Sequence, residues 1–161
     1  MEHVTNPRDV LTEVRRILKP NGRLVIQVPN IESWQYRLFR SKWYGLDIPR
    51  HVIDYPNTSM QGLLRHSGFR VHRIRHFNLR DNAPALASSM FPSLDPVGRA
   101  VRQRQRGTEE SAPLAWLRHL LYFAAVVAAY PFAVAEAAAG FGATITIEAA
   151  KADVGGPALI R

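Results

Sequence analysis

Cysteine is missing from all 161 residues. Its absence excludes disulfides, thiolate metal sites and a cysteine nucleophile, and it fits a reducing compartment. Acidic residues are scarce, 13 against 21 lysines and arginines, which gives a formal net charge of +8 and a pI near 10.6. Such a balance suits anionic partners: nucleic acid, an anionic membrane or a phosphorylated substrate. No apolar run follows a basic start in "MEHVTNPRDV", so no signal peptide is expected there. The uncharged run from Leu120 to Ala135 is shorter than the roughly 20 residues of a bilayer-spanning helix. No internal repeat is visible. What remains is a chain with 47% hydrophobic and 21% charged residues, enough apolar material for one ordered domain with one core.

Periodicity divides the chain into four pieces. In "TNPRDVLTEVRRILKPNG", Thr5 or Asn6 can cap a helix, Pro7 suits its first turn and Asp9 lies at the favoured end of the dipole. Val10, Leu11, Val14, Ile17 and Leu18 recur at helical spacing, and Pro20-Asn21-Gly22 ends the helix. "RLVIQVPN" then reads as a strand so apolar that both faces are expected to be covered, as in a parallel sheet. Further on, "NTSMQGLLRHSGF" predicts a helix with Met60, Leu63 and Leu64 inward, and "FRVHRIRHF" predicts a strand. Residues 78–113 show little periodicity and carry several prolines and "GRAVRQRQRG". They read as a long loop or insertion with a short helix, with Arg99, Arg102, Arg104 and Arg106 exposed. Residues 114–139 predict a long apolar helix, and "ATITIEAAK" a closing strand. The strands are expected at 23–28, 69–77 and 143–150.

"SKWYGLDIPRHVIDYP", residues 41–56, is too polar for a core strand and too aromatic for a solvent loop. It gathers Trp43, Tyr44, Asp47, Arg50, His51, Asp54 and Tyr55 with two prolines, Pro49 and Pro56.

The order of these features resembles a known family. "EHVTNPRDVLTEVRRILKPNGRLVIQVPN", followed by "LDIPRHVIDYP", a helix, "SGFRV" and a last strand closed by lysine, is similar to a class I S-adenosylmethionine-dependent methyltransferase of the methyltransferase-domain 11/23 type. The resemblance covers roughly residues 1–77 and 142–151 and implies an α/β, Rossmann-like methyltransferase fold, of which this chain is the carboxyl-terminal half. Residues 1–77 would be core, 78–140 a helical insertion before the last strand, 141–151 the closing strand and 152–161 a tail. The family's glycine-rich cofactor loop and its ribose-binding carboxylate do not occur in the chain. "GFGAT" precedes the closing strand and cannot serve as that loop.

In open α/β sheets ligands sit beyond the carboxyl ends of the parallel strands. By resemblance Glu2-His3 lies at one such end and Pro29-Asn30 at the next. Glu2 and His3 are then cofactor-side candidates. Asn30, Trp43, Asp47, Arg50 and His51 are substrate-side candidates. His51 or His3 could act as base, Arg50 could hold an anionic group, and Trp43 could face the sulfonium or a flat acceptor. Each also has a structural reading: Glu2 holding a neighbouring helix end or loop, Asp47-Arg50 bracing the loop, Trp43 serving as a lid or packing residue. For His51 the two readings stand level. No metal is expected, although some relatives that methylate quinone precursors use a Glu-His pair near one. His72 and His76, two apart on a strand, read as a solvated face.

The expected activity is methyl transfer from S-adenosylmethionine to a small-molecule acceptor. The alternative is a non-catalytic remnant or a membrane-associated binding module. Nucleic-acid binding ranks third, because the arginines are not interleaved with aromatics. The apolar helix reads as buried, as membrane-surface or as a dimer contact, and the upstream arginines favour an anionic membrane surface. The location is expected to be cytoplasmic, with peripheral attachment at the inner membrane face left open.

Overall fold

A computed structural model describes residues 1–48, 50–107 and 110–152; Pro49 and most of the tail lie outside them. The order is α1 (Pro7–Ile17), β1 (Arg23–Pro29), α2 (Trp34–Phe39), two short 3-10 turns (Arg40–Lys42 and Tyr44–Leu46), α3 (Asn57–His66), β2 (Phe69–Arg75), α4 (Asn82–Met90), α5 (Pro96–Arg106), α6 (Ala112–Ala138) and β3 (Thr144–Lys151). The architecture is mixed α/β around a three-stranded sheet of order β1-β3-β2, with both pairings antiparallel.

Alternation along the strands decides which face is buried. Cross-strand pairs Ile26–Ile147 and Val28–Ile145 fall on one face, where they join Leu11 of α1 and Met60 and Leu64 of α3 in the main core. Gln27–Thr146 and Val25–Glu148 fall on the other. Val25 is 59% exposed there, so β1 is covered on one face only and its neighbour is antiparallel, contrary to the parallel, doubly covered strand its composition suggests. Glu148, on the central strand, pairs with Arg75 of β2 and lies 3.9 Å from Arg23 of β1.

Two further corrections concern β2. It stops at Arg75, and the register slips between Val71 and Arg73, so His72 is an extra residue in a bulge. His72 and His76 therefore do not share a strand face. His76 is half-buried, and that burial pushes its imidazole below the usual histidine range.

The segment expected as loop is mostly helical. The buried face of α4 is small residues, Ala83, Ala85, Ala87 and Ser88, around Leu86. Asp95 caps α5 by accepting from the Gly98 N–H, with Pro96 in the first turn. Arg99 is buried against Glu110 at 2.6 Å rather than exposed. A second, smaller core joins α4 to α6 through Ala83, Leu86, Ala129 and Ala133, with Phe39 of α2 against it.

One buried carboxylate ties this second core together. Glu136 of α6 is inaccessible to solvent; its Oε1 accepts from the Gln35 backbone N–H at 2.8 Å and its Oε2 from Gln35 Nε2 at 2.9 Å. Burial raises the Glu136 pKa above its ordinary 4.5, and the Gln35 bonds only partly offset that. A raised folded pKa means the folded state holds the proton more tightly. The contribution is full below about pH 4.5 and is lost as pH rises through the folded pKa. Glu136→Gln should therefore flatten the stability curve above pH 4.5. Glu136→Ala should lose about 3 kcal/mol, because two buried Gln35 donors are left unpaired. Urea unfolding across pH checks both; an unchanged Glu136→Ala midpoint would mean that α2 repacks around the loss.

Candidate functional site

The carboxyl end of β1 and the loop after α2 build one side of a cavity of about 510 Å³. Its walls come from two sources. Glu2, Val28, Pro29, Trp43, Asp47 and His51 line one side; Asp81, Pro84, Asp95, Val97 and Tyr122 line another. Ala143 and Thr144, where β3 begins, also line it.

The loop is held from below. The Glu2 carbonyl accepts from Val52 N–H at 2.7 Å and from Ile53 N–H at 3.3 Å, so the chain beyond His51 is pinned to the segment before α1. His3 Nδ1 lies 2.8 Å from the Arg50 carbonyl. A carbonyl only accepts, so this nitrogen carries the proton and neutral His3 has its lone pair on Nε2. The His3 and His51 rings are 4.9 Å apart. His51 Nδ1 is buried 3.9 Å from Asp54 Oδ1, and neither atom has a hydrogen-bond partner. Burial raises the Asp54 pKa, and the nearby Glu2 charge adds to the rise, while His51 opposes it. The His51 side chain is only 9% exposed and lines the cavity.

Trp43 is 3% exposed and meets Tyr36 edge to face at 5.7 Å. A β-carbon at Gly45 would lie 2.4 Å from the Trp43 ring, so the glycine lets the chain fold across the indole. The Tyr44 N–H donates to Ser89 Oγ at 2.9 Å, which fastens this turn to α4. On the far wall Ser88 Oγ donates to Asp95 at 3.0 Å and lies 2.9 Å from the Tyr122 hydroxyl. Gln27 Nε2 donates to Asp81 at 2.6 Å. Burial raises the Asp81 pKa, with Gln27 and Arg80 opposing.

The structure thus brings Glu2, Trp43, Asp47 and His51 to one cavity and places three other candidates elsewhere. Arg50 pairs with Asp47 at 3.2 Å, and its side chain is 72% exposed. Asn30 is buried: its Nδ2 donates to the Gly142 carbonyl at 3.0 Å and its Oδ1 accepts from Glu32 N–H at 3.0 Å. The first bond holds the β1 end to the β3 start, and the second turns the chain within the loop before α2. His3 stands behind the loop at the Arg50 carbonyl. Glu2, His3 and His51 nevertheless each offer a donor atom within 4.8 Å of the others, a carboxylate-and-imidazole set that suits a divalent transition ion.

Sequence reasoning missed Asp54, Asp81, Asp95 and Tyr122. Asp95-Pro96 carries a helix-start signature that could have located α5, and with it Asp95. Nothing local marks Tyr122, which reaches the cavity only through the packing of α6 on α4.

No curated protein matches the chain. Residues 1–74 match the family model described as a methyltransferase domain. That span contains α1, β1, the Trp43–His51 loop, α3 and most of β2. Over that span the chain is similar to a methyltransferase domain.

Proposed function

We propose that the protein transfers a methyl group from S-adenosylmethionine to a small-molecule acceptor seated in this cavity. One observation carries the reading. The wall made by Glu2, Trp43 and His51 lies within the matched residues, and the wall made by Asp81, Asp95 and Tyr122 lies beyond them. Shared chemistry belongs to the first wall and acceptor choice to the second. In a chain of net charge +8 the cavity gathers the carboxyl groups of Glu2, Asp47, Asp81 and Asp95 beside Trp43 and Tyr44. Carboxylates and aromatic faces suit a cationic group.

S-Adenosylmethionine, when bound, supplies an electrophilic methyl group on a positively charged sulfur. The protein's own task is to hold the acceptor in line and receive its proton. His51 does the second: its free ring nitrogen takes the proton from the acceptor oxygen, nitrogen or carbon, and the Asp54 carboxyl, 3.9 Å from Nδ1, favours the resulting imidazolium by charge. Trp43 provides a flat wall against which the acceptor is oriented. The outer edge of β1 has no strand beside it among the described residues.

The test is transfer of a labelled methyl group by the full-length protein to amine, hydroxyl and carbon acceptors. Absence of both transfer and cofactor binding would refute the reading. The 161-residue chain by itself should bind S-adenosylmethionine weakly, since it holds no glycine-rich cradle for the adenosine. Calorimetry giving a micromolar Kd for that chain would show that the cavity alone suffices.

A further inference from the structure

The helix α6 has two unlike faces. Tyr122, Val126, Ala129, Ala133 and Glu136 turn toward the domain: Tyr122 reaches Ser88, the alanines are buried against α4, and Glu136 holds Gln35. The opposite arc is open. Trp116, Leu120, Phe123, Val127 and Val134 recur at spacings of three, four and seven, which keeps them on one line of an α-helix, and all five are more than half exposed. Leu117 widens the line. No charged residue interrupts this arc, because Arg118 and Glu136 both lie on the domain side. The helix is 27 residues long and apolar enough to cross a membrane by length and composition.

The amino-terminal end of the helix supplies the second observation. Arg99, Arg102, Arg106 and Arg118 line a shallow depression of about 560 Å³ together with Leu114 of α6. Among the described residues Glu110 is the one acid lining it, and it is already paired with Arg99 and Arg118 at 2.6 Å each. Among the described residues the depression therefore keeps an excess of positive charge. Trp116, 70% exposed, lies one turn or less from Leu114. A basic hollow next to an apolar stripe is the arrangement met by a lipid: phosphate at one level, acyl chain at the next. A second copy of the chain would bring the same arginines to the same end in a parallel pairing, and like charges would oppose it.

We infer that α6 is an interfacial helix, seated lengthwise in an anionic membrane with its Trp116–Val134 stripe among the acyl chains and the arginine hollow at the headgroups. It lies on the bilayer rather than across it. The face opposite the stripe is fastened to α4 and α2 from Tyr122 to Glu136, so spanning would drag the polar domain into the hydrocarbon. The inference does not rest on the proposed methyl transfer.

The test is co-sedimentation of the full-length protein with phosphatidylcholine vesicles, with and without phosphatidylglycerol. Binding is expected only to the anionic vesicles. Arg104→Gln and Arg106→Gln, both exposed positions, should weaken it about five-fold each. Leu120→Glu with Phe123→Glu should abolish it while the circular dichroism spectrum is kept. Equal binding to both vesicle types would overturn the role of the arginines. A folded monomer left in the supernatant would overturn the membrane itself. A dimer in the supernatant that Leu120→Glu converts to monomer would assign the stripe to a second copy of the chain.

Discussion

Gly142→Ala is expected to lower the urea midpoint more than truncation of the Glu136 side chain does. A β-carbon at Gly142 would lie 1.7 Å from the His76 carbonyl oxygen and 3.0 Å from Asn82 Nδ2. The obstacle is backbone, so no side chain can rotate away. Four segments meet at this point. Asn30, after β1, donates to the Gly142 carbonyl, and Asn82, at the start of α4, donates to the His76 carbonyl at 2.9 Å. One methyl group must therefore part the ends of β1 and β2 from the start of β3. The cost should be on the order of 4 kcal/mol, in the rare upper range for single substitutions. For a chain of this size that corresponds to a fall in Tm of roughly 10 °C. Equilibrium unfolding with an unchanged denaturant slope would measure it. If Gly142→Ala unfolds at the wild-type midpoint, the crossing is looser than its distances imply.

The second large effect is on turnover. On the proposed reading His51→Ala should reduce methyl transfer at saturating substrates by roughly 10²- to 10⁴-fold, the usual contribution of a positioned general base. Affinity for S-adenosylmethionine should change little. Asp54→Asn leaves the imidazole in place but removes the carboxylate that faces Nδ1 at 3.9 Å. It should cost less than His51→Ala, on the order of tenfold, and displace the pH–rate profile. Arg50→Ala separates two roles: its side chain lies in solvent beside Asp47, so a large loss of turnover would mean the loop closes over the acceptor. If His51→Ala instead abolishes cofactor affinity while saturated turnover is normal, the loop serves the cofactor and not the acceptor.

Much of the framework was legible because burial and period agree. Leu11 in α1, Met60 and Leu64 in α3, and Ile145 and Ile147 in β3 are all buried where their spacing puts them. The helices α4 and α5 were not legible, for two different reasons. Small residues cover most of α4, so it shows no contrast between faces, whereas α5 is so rich in arginine that its one buried position, Arg99, looks like solvent-exposed charge. The covering of β1 was misread because Val25 is as apolar as Val28; only pairing with Glu148 reveals that it faces out. At the site, the matched wall could be read from neighbouring residues. The facing wall could not, since Asp81, Asp95 and Tyr122 come together only when α4, α5 and α6 are in place.

The strand order has a bearing on how the chain is made. Among the described residues β3 is the last strand to leave the ribosome, and it is the one in the middle of the sheet. Among the described residues neither β1 nor β2 has a hydrogen-bonding strand partner until residues 144–151 arrive, and the two do not pair with each other. From Arg75 to Thr144 the ribosome adds 69 residues, which takes roughly 3–14 s at ordinary elongation rates. For that interval two strands wait with open edges, and the apolar α6 emerges before the sheet can close. Such a nascent chain presents open strand edges, the kind of surface that aggregates, until its final strand arrives.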